Sequence, residues 1–388
     1  MIEAIVFLLP IAAYSGWIIG RKAKRESDYP EDKSLSRGYL VGLNYLLNEQ
    51  PDKAIDTFVS ILQVNSETVE INLAVGNLFR QRGEVERAIR LHQNIIARPA
   101  LSDEHRSNAL YELGLDYMSA GLLDRAENIF IELANNVIHG VQSLKQLLII
   151  YQKTHEWLKA IDVSSRLQKQ SDIHMRPTIV HFYCELADEQ IHEGDLRKAQ
   201  NYLKKAVVIG KGSIRTSIML GHLSMRKLQP KAALKYFREI TDHDIHFLVE
   251  VLEDIIECYH QLNDRKGLMH FLHTSLEKGG GISIILALAD IIRTETSEKA
   301  AKDFMIDKIK SRPSMRGLKE LVDLQLQEAS QATLESFHAL SDVVDRLLES
   351  KPKYHCYSCG FDTKKLYWQC PRCKEWETIR PIVGIEGE

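Results

Sequence analysis

Four cysteines, Cys356, Cys359, Cys370 and Cys373, stand in two CxxC pairs with ten residues between them. Two such pairs on tight turns bring four thiolates to the corners of a tetrahedron around one ion. Gly360, directly after the first pair, suits a turn of positive φ in which backbone N–H groups face sulfur. Pro371 stiffens the second turn. Two disulfides are the plainest alternative, but they need an oxidising compartment. A redox-active dithiol needs a βαβ setting, and neither CxxC has one. The expected cofactor is one zinc or iron ion, zinc preferred because no redox partner is in view. Four protein ligands leave no open coordination position, so the site is structural.

The module around the cysteines, residues 350–388, is too short to hold a core alone, and the ion supplies much of its folding free energy. Phe361, Leu366, Tyr367, Trp368 and Trp376 exceed what so small a body buries, which predicts that it docks on the rest of the protein. The CxxCG and CPxCxxW arrangement resembles rubredoxin-like and zinc-ribbon domains. It is also similar to the small finger that opens some bacterial DNA-repair ATPases. An exposed nucleic-acid-binding finger is the rival reading. Between residues 351 and 380 stand seven basic and three acidic residues. A tetrathiolate ion site adds about −2 to that balance. The remaining charge is too weak to favour nucleic acid.

Other catalytic patterns are missing from the sequence. There is no GxxxxGK[ST] loop and no HExxH, and the Gly210–Ser213 and Gly279–Gly281 clusters fall where turns are expected. His243 and His246 flank a helix start and make a weak second metal candidate. Fifty basic against 53 acidic residues argue against a polyanion-coating protein. The 44% apolar and 27% charged shares are those of a folded, soluble body. The reading is a non-catalytic protein.

The elements that must carry the module form a repeat. Alanines recur at Ala54, Ala88, Ala126, Ala160, Ala199, Ala233 and Ala301, spaced 34, 38, 34, 39, 34 and 68, with the missing member placed at Gly267. Twelve residues earlier come Gly42, Gly76, Gly114, Leu148, Ala187, Gly221, Ile255 and Ala289. Aromatics follow three residues on at Tyr45, Phe79, Tyr117 and Tyr151, and four after the alanines at Phe58, Phe130, Phe237 and Phe271. Gly83, Gly121 and Gly194 supply turns within the units. This 34-residue pattern resembles the tetratricopeptide repeat, two antiparallel helices whose small residues mark the closest approach. The expected fold is mainly α: a tetratricopeptide-type solenoid of about eight hairpins over residues 35–349, closed by a capping helix from Ala332 to Leu348. Insertions fall near Pro99–Glu104 and Ser171–Pro177. Such arrays bind peptides or proteins along a concave face. The face-lining positions of the repeat family fall here on Asn77, Arg80, Tyr111, Lys145, His181, His222, Arg226 and Tyr259.

Before the array, Ala4–Gly20 carries no charge. As a helix it spans about 26 Å, slightly short of a ~30 Å hydrocarbon core. Arg21, Lys22, Lys24 and Arg25 follow it and nothing basic precedes it, which predicts a transmembrane anchor over residues 1–20 with the body in the cytoplasm. A cleaved signal peptide would carry the reverse arrangement, and a buried core helix is the bland alternative. Residues 21–34 read as a cytoplasmic linker.

The combination of anchor, repeats and four-cysteine tail resembles the lipopolysaccharide assembly protein B family of Gram-negative bacteria. The resemblance spans the chain and is strongest at Gly76–Gln93, His181–Ala187 and Lys351–Gly387. It implies an inner-membrane, single-pass adaptor that regulates lipopolysaccharide synthesis. The implied partners are the membrane AAA+ protease FtsH, the lipid A pathway deacetylase whose proteolysis it promotes, and an inner-membrane lipopolysaccharide-sensing regulator, with lipopolysaccharide itself a further candidate. An assembly scaffold for lipopolysaccharide synthesis and export proteins is the competing expectation; a nucleic-acid-binding regulator is a weaker one.

Overall fold

The computed structural model describes residues 40–45, 47, 48, 50, 53, 54, 57, 69–99, 101–328 and 331–388. The expected anchor, its flank of Arg21, Lys22, Lys24 and Arg25, and most of the first repeat lie outside the described residues. Among the described residues no helix is long and apolar enough to cross a membrane. The chain divides into two compact units, with the boundary between Ile150 and Tyr151.

Helical hairpins build both units. The first unit holds Val69–Gln81 with Val85–Ile96 and Asp103–Ser119 with Leu123–Leu133, then enters Gly140–Lys153. The second continues with Trp157–Gln170 and pairs Arg176–His192 with Leu196–Ile209, and Ile214–Arg226 with Pro230–His243. A 3₁₀ turn, Ile245–Glu250, precedes the hairpins Leu252–Gln261 with Arg265–Glu277 and Ile282–Glu295 with Glu298–Ser311. The two expected insertions are the non-helical stretches before Asp103 and before Arg176, at repeat boundaries.

The glycines show why small residues recur. A Cβ on Gly76 would lie 2.2 Å from His92, on Gly114 2.7 Å from Phe130, and on Gly221 2.1 Å from Phe237. Each large side chain therefore presses its ring on the backbone of the partner helix, an approach that only the missing Cβ allows. In the second to seventh hairpins the turn takes one residue of positive φ. Gly83, Gly121 and Gly194 fill it at φ 79°, 74° and 85°, and His155, Leu228 and Asn263 fill it elsewhere.

Asn263 corrects the seventh repeat. Counting from these turns, the alanine slot is Leu268, not Gly267. Leu268 is buried, and its N–H donates to Asp264 O just as Ala88, Ala126, Ala160, Ala199 and Ala233 bond four residues back. Gly267 instead lies beside the Asp264 cap, where a Cβ would come within 2.2 Å of the carboxylate. The array also runs further than expected. The closing helix, Gln331–Ser350, is not alone: Met315–Glu328 pairs with it as a ninth hairpin.

Beyond Ser350 the chain changes to β. Strands β1 (Tyr354–Cys356), β2 (Asp362–Thr363) and β3 (Ile379–Pro381) form an antiparallel sheet in the order β2-β1-β3. Its register pairs His355 with Asp362 and with Arg380.

Candidate metal centre and its docking face

Both CxxC pairs sit on like turns. Gly360 N–H donates to Cys356 O, and Lys374 N–H donates to Cys370 O, each at 2.9 Å. The residue after each pair has positive φ, 72° at Gly360 and 62° at Lys374. The four sulfurs converge: Sγ of Cys359 lies 3.6 Å from Sγ of both Cys356 and Cys370, and Cys356 Sγ lies 3.8 Å from Cys373 Sγ. All four lie within 4.8 Å of one another. A tetrahedral ion with metal–sulfur bonds of ~2.3 Å needs sulfurs about 3.8 Å apart, so the donor set fits one such ion.

The electrostatics agree. Burial raises the Cys356 thiol, but the Thr378 hydroxyl and the N–H groups of Cys359 and Ser358 outweigh it and bring it down to about 6. Burial and the adjoining Cys356 sulfur push Cys359 up to about 12. One thiolate is thus favoured by the fold, and ionising the next beside it requires a cation. Cys356 and Cys370 are fully buried with Ile379 in a small core of their own. Cys184 and Cys258 are buried in helices, apart from this cluster.

The module lies against the array through its two tryptophans, as its surplus of aromatics predicts. Trp376 stacks on His181 with ring centres 5.0 Å apart, and meets Trp157 and Phe182 edge-on. Its Nε1 donates to Gln152 Oε1 at 3.0 Å, the same oxygen that accepts from Gln369 Nε2. Trp368 stacks on Phe247 at 5.9 Å. The guanidinium of Arg215 lies over both indoles, at 5.8 and 5.9 Å, and pairs with Glu185 at 2.7 Å. Tyr354 donates to Glu250 at 2.5 Å. Leu366 and Trp368 pack into the core of the sixth to eighth repeats.

The family described as the rubredoxin metal binding domain matches residues 354–381. Lipopolysaccharide assembly protein B of Escherichia coli strain K12 is 42% identical over 388 residues, covering all of both chains. The chain belongs to the lipopolysaccharide assembly protein B family. Its Haemophilus influenzae member is 33% identical over 395 residues, again covering both chains fully. Among solved structures, a tetratricopeptide repeat protein from Parabacteroides merdae aligns at 15% identity and a TM-score of 0.32, covering 61% of this chain and 88% of that one.

For this family member, the structure places the eight expected face residues unequally. Lys145 and Arg226 are exposed, and His222 is exposed beside Asp254 at 2.8 Å. Asn77 is half-buried. Tyr111 stacks on His139 at 4.7 Å. Arg80 spends both terminal nitrogens on Glu112 and Asp116, and Asp116 in turn holds the buried His92 at 2.5 Å. Two placements are corrections. His181 is 1% exposed because Trp376 and Trp368 cover it, so it faces the module and not an open groove. Tyr259 is also 1% exposed. Counted from Asn263, it is the repeat's core aromatic, equivalent to Phe79 and Tyr117, and it accepts a hydrogen bond from Arg238. Trp157, Gln152, Arg215 and Phe247 form the docking face unannounced by the sequence. The aromatic surplus signalled that a docking face exists, but no local pattern says which repeats supply it.

Proposed function

We propose that this protein is a non-catalytic adaptor at the inner membrane that regulates lipopolysaccharide synthesis by delivering the lipid A pathway deacetylase to the protease FtsH. The observation that carries the reading is the full-length kinship with lipopolysaccharide assembly protein B, which supports a role in lipopolysaccharide assembly. The physical design suits an adaptor. A helical-repeat surface offers an extended face for a partner. The ion-held module, zinc preferred over iron, clamps the fourth to ninth repeats and fixes that surface. An anchor at residues 1–20 would hold the body beside a membrane protease and raise the effective concentration of whatever it binds.

The test is the in-cell half-life of the deacetylase with and without this protein, in strains with and without the protease. The adaptor reading expects the half-life to lengthen on loss of the protein, only where the protease is present. An unchanged half-life alongside misassembled lipopolysaccharide would replace it with a scaffold.

A further inference from the structure

A contact separate from the tryptophan stacks forms where the chain after β3 returns to the array. The Ile282–Glu295 helix begins at Gly281, which has no side chain to cap it. Its first turn is capped from far along the sequence by Glu388. One carboxylate oxygen accepts from Ser283 N–H at 3.2 Å, and the other accepts from Ser283 Oγ at 2.8 Å and from the Arg316 guanidinium. Arg316 also donates to Ser283 Oγ at 3.0 Å. A Cβ on Gly281 would lie within 2.9 Å of Glu388, so the glycine makes the room that the carboxylate uses. Two serine donors, a guanidinium and the positive end of a 14-residue helix thus converge on one anion.

The segment that supplies this anion lines one side of the adjoining cleft without filling it. Ile382 forms part of the cleft wall, but Val383 and Ile385 are 49% and 59% exposed and take no part in it. Besides Glu388, it is tied to the array's last hairpin by Met315 N–H donating to Ile385 O at 2.8 Å, and to the start of the module by Lys351 with Glu386. Directly beside the seated carboxylate a cleft of about 720 Å³ stays open, with Leu252, Ile256, Leu286, Ala287, Leu348 and Ile382 among its walls. Of the acids in that cleft, Glu250 is engaged by Tyr354, Asp254 by His222 and Glu386 by Lys351, and Glu253 faces solvent.

We propose that this receptor is a peptide-binding site of the protein, held by its own tail until a partner displaces it. The ligand is an extended acidic segment of a partner protein, with a carboxylate for Ser283 and Arg316 and an adjoining apolar side chain for the cleft. A segment with both features outcompetes the tail, because it reproduces the polar contacts and adds the apolar burial that the tail forgoes. The inference stands whether the protein acts as adaptor or scaffold.

The experiment uses full-length Glu388→Ala protein and a fluorescein-labelled peptide copying residues 382–388, followed by polarisation. The peptide is expected to bind Glu388→Ala at least tenfold more tightly than the unaltered protein. Adding Arg316→Gln or Ser283→Ala to Glu388→Ala should weaken it at least tenfold, and so should Gln in place of the last Glu of the peptide. Metal content and tryptophan emission equal to the unaltered protein certify each variant as folded. Equal binding to all variants, or no binding to a folded Glu388→Ala protein, overturns the proposal. So does a dimer that forms through exchange of tails and disappears with Glu388→Ala, since the occupant is then a second copy.

Discussion

Arg215 lies between two indole faces and one carboxylate with its side chain only 7% exposed. Removing one partner from a buried pair leaves the other charge uncompensated, at a cost of about 3 kcal/mol. Arg215→Ala should therefore lower the unfolding free energy of the second unit by about that amount in chemical denaturation. Arg215→Lys should recover less than half, since an ammonium cannot spread over two rings as a planar guanidinium does. His181, beneath Trp376, gives the docking a pH dependence. Burial holds its imidazolium below the ordinary range, and the His181 ring, 3.7 Å away, holds the Glu377 carboxyl below its own. Both groups bind fewer protons when docked than when undocked, so stability rises with pH. It is fully present above about 6.5, the value of a free histidine, and falls as the solution is acidified through it. His181→Phe keeps the ring stack and should flatten the upper part of that slope, read from melting temperatures between pH 5.5 and 7.5. An unchanged slope would assign the effect elsewhere.

At the scale of the helical hairpin, two glycines separate two kinds of cost. Gly221→Ala would force a methyl to within 2.1 Å of the Phe237 ring, an overpacking that costs about 2–3 kcal/mol. Gly83→Ala meets no atom within 4 Å and costs only the left-handed conformation, about 1 kcal/mol. Thermal unfolding of the two variants should rank them in that order. The same residues show how much was legible beforehand. Glycine and alanine spacing located hairpins two to six, because each small residue answers a large one in a fixed place. In the seventh, Leu268 took the alanine slot and Gly267 stood beside it for a different reason, its contact with the Asp264 cap. The count slipped by one, and Tyr259 passed for a surface residue. The ninth hairpin escaped because Met315–Glu328 keeps none of the signature except Gly317, which accepts close approach from Ile282 and Ile309. The metal site was fully legible, since ligand spacing is local. The docking face was not, since Gln152, Trp157, His181, Arg215 and Phe247 come together only when four successive repeats, the fourth to the seventh, are stacked.

For the whole molecule, the module is placed as a clamp, and its grip is expected to depend on the ion that its four cysteines fit. Cys356→Ser or Cys373→Ser should drop bound metal from one equivalent towards none and red-shift the emission of Trp368 and Trp376. The helical signal of the array should largely remain. A variant that loses metal with its emission unmoved would show that the module keeps its place without the ion. Two kinds of contact differ sharply in reach. Repeats brace one another over about 30 residues, as between Trp157 and Glu189 or Cys184 and Thr216, each 32 apart. The clamp closes over far more, with Gln152 and Trp376 separated by 224 residues.

That disparity has a consequence for synthesis on the ribosome. Helical hairpins assemble as they emerge, because each needs only its neighbour. Gln152, Trp157 and His181 must then wait for some two hundred further residues before Trp376 exists to cover them. At roughly 5–20 residues per second the aromatic face stays bare for about 10–40 seconds in every nascent chain. Over that interval the clamp's future seat is a hydrophobic surface open to chaperones and to neighbouring chains, and only completed translation withdraws it.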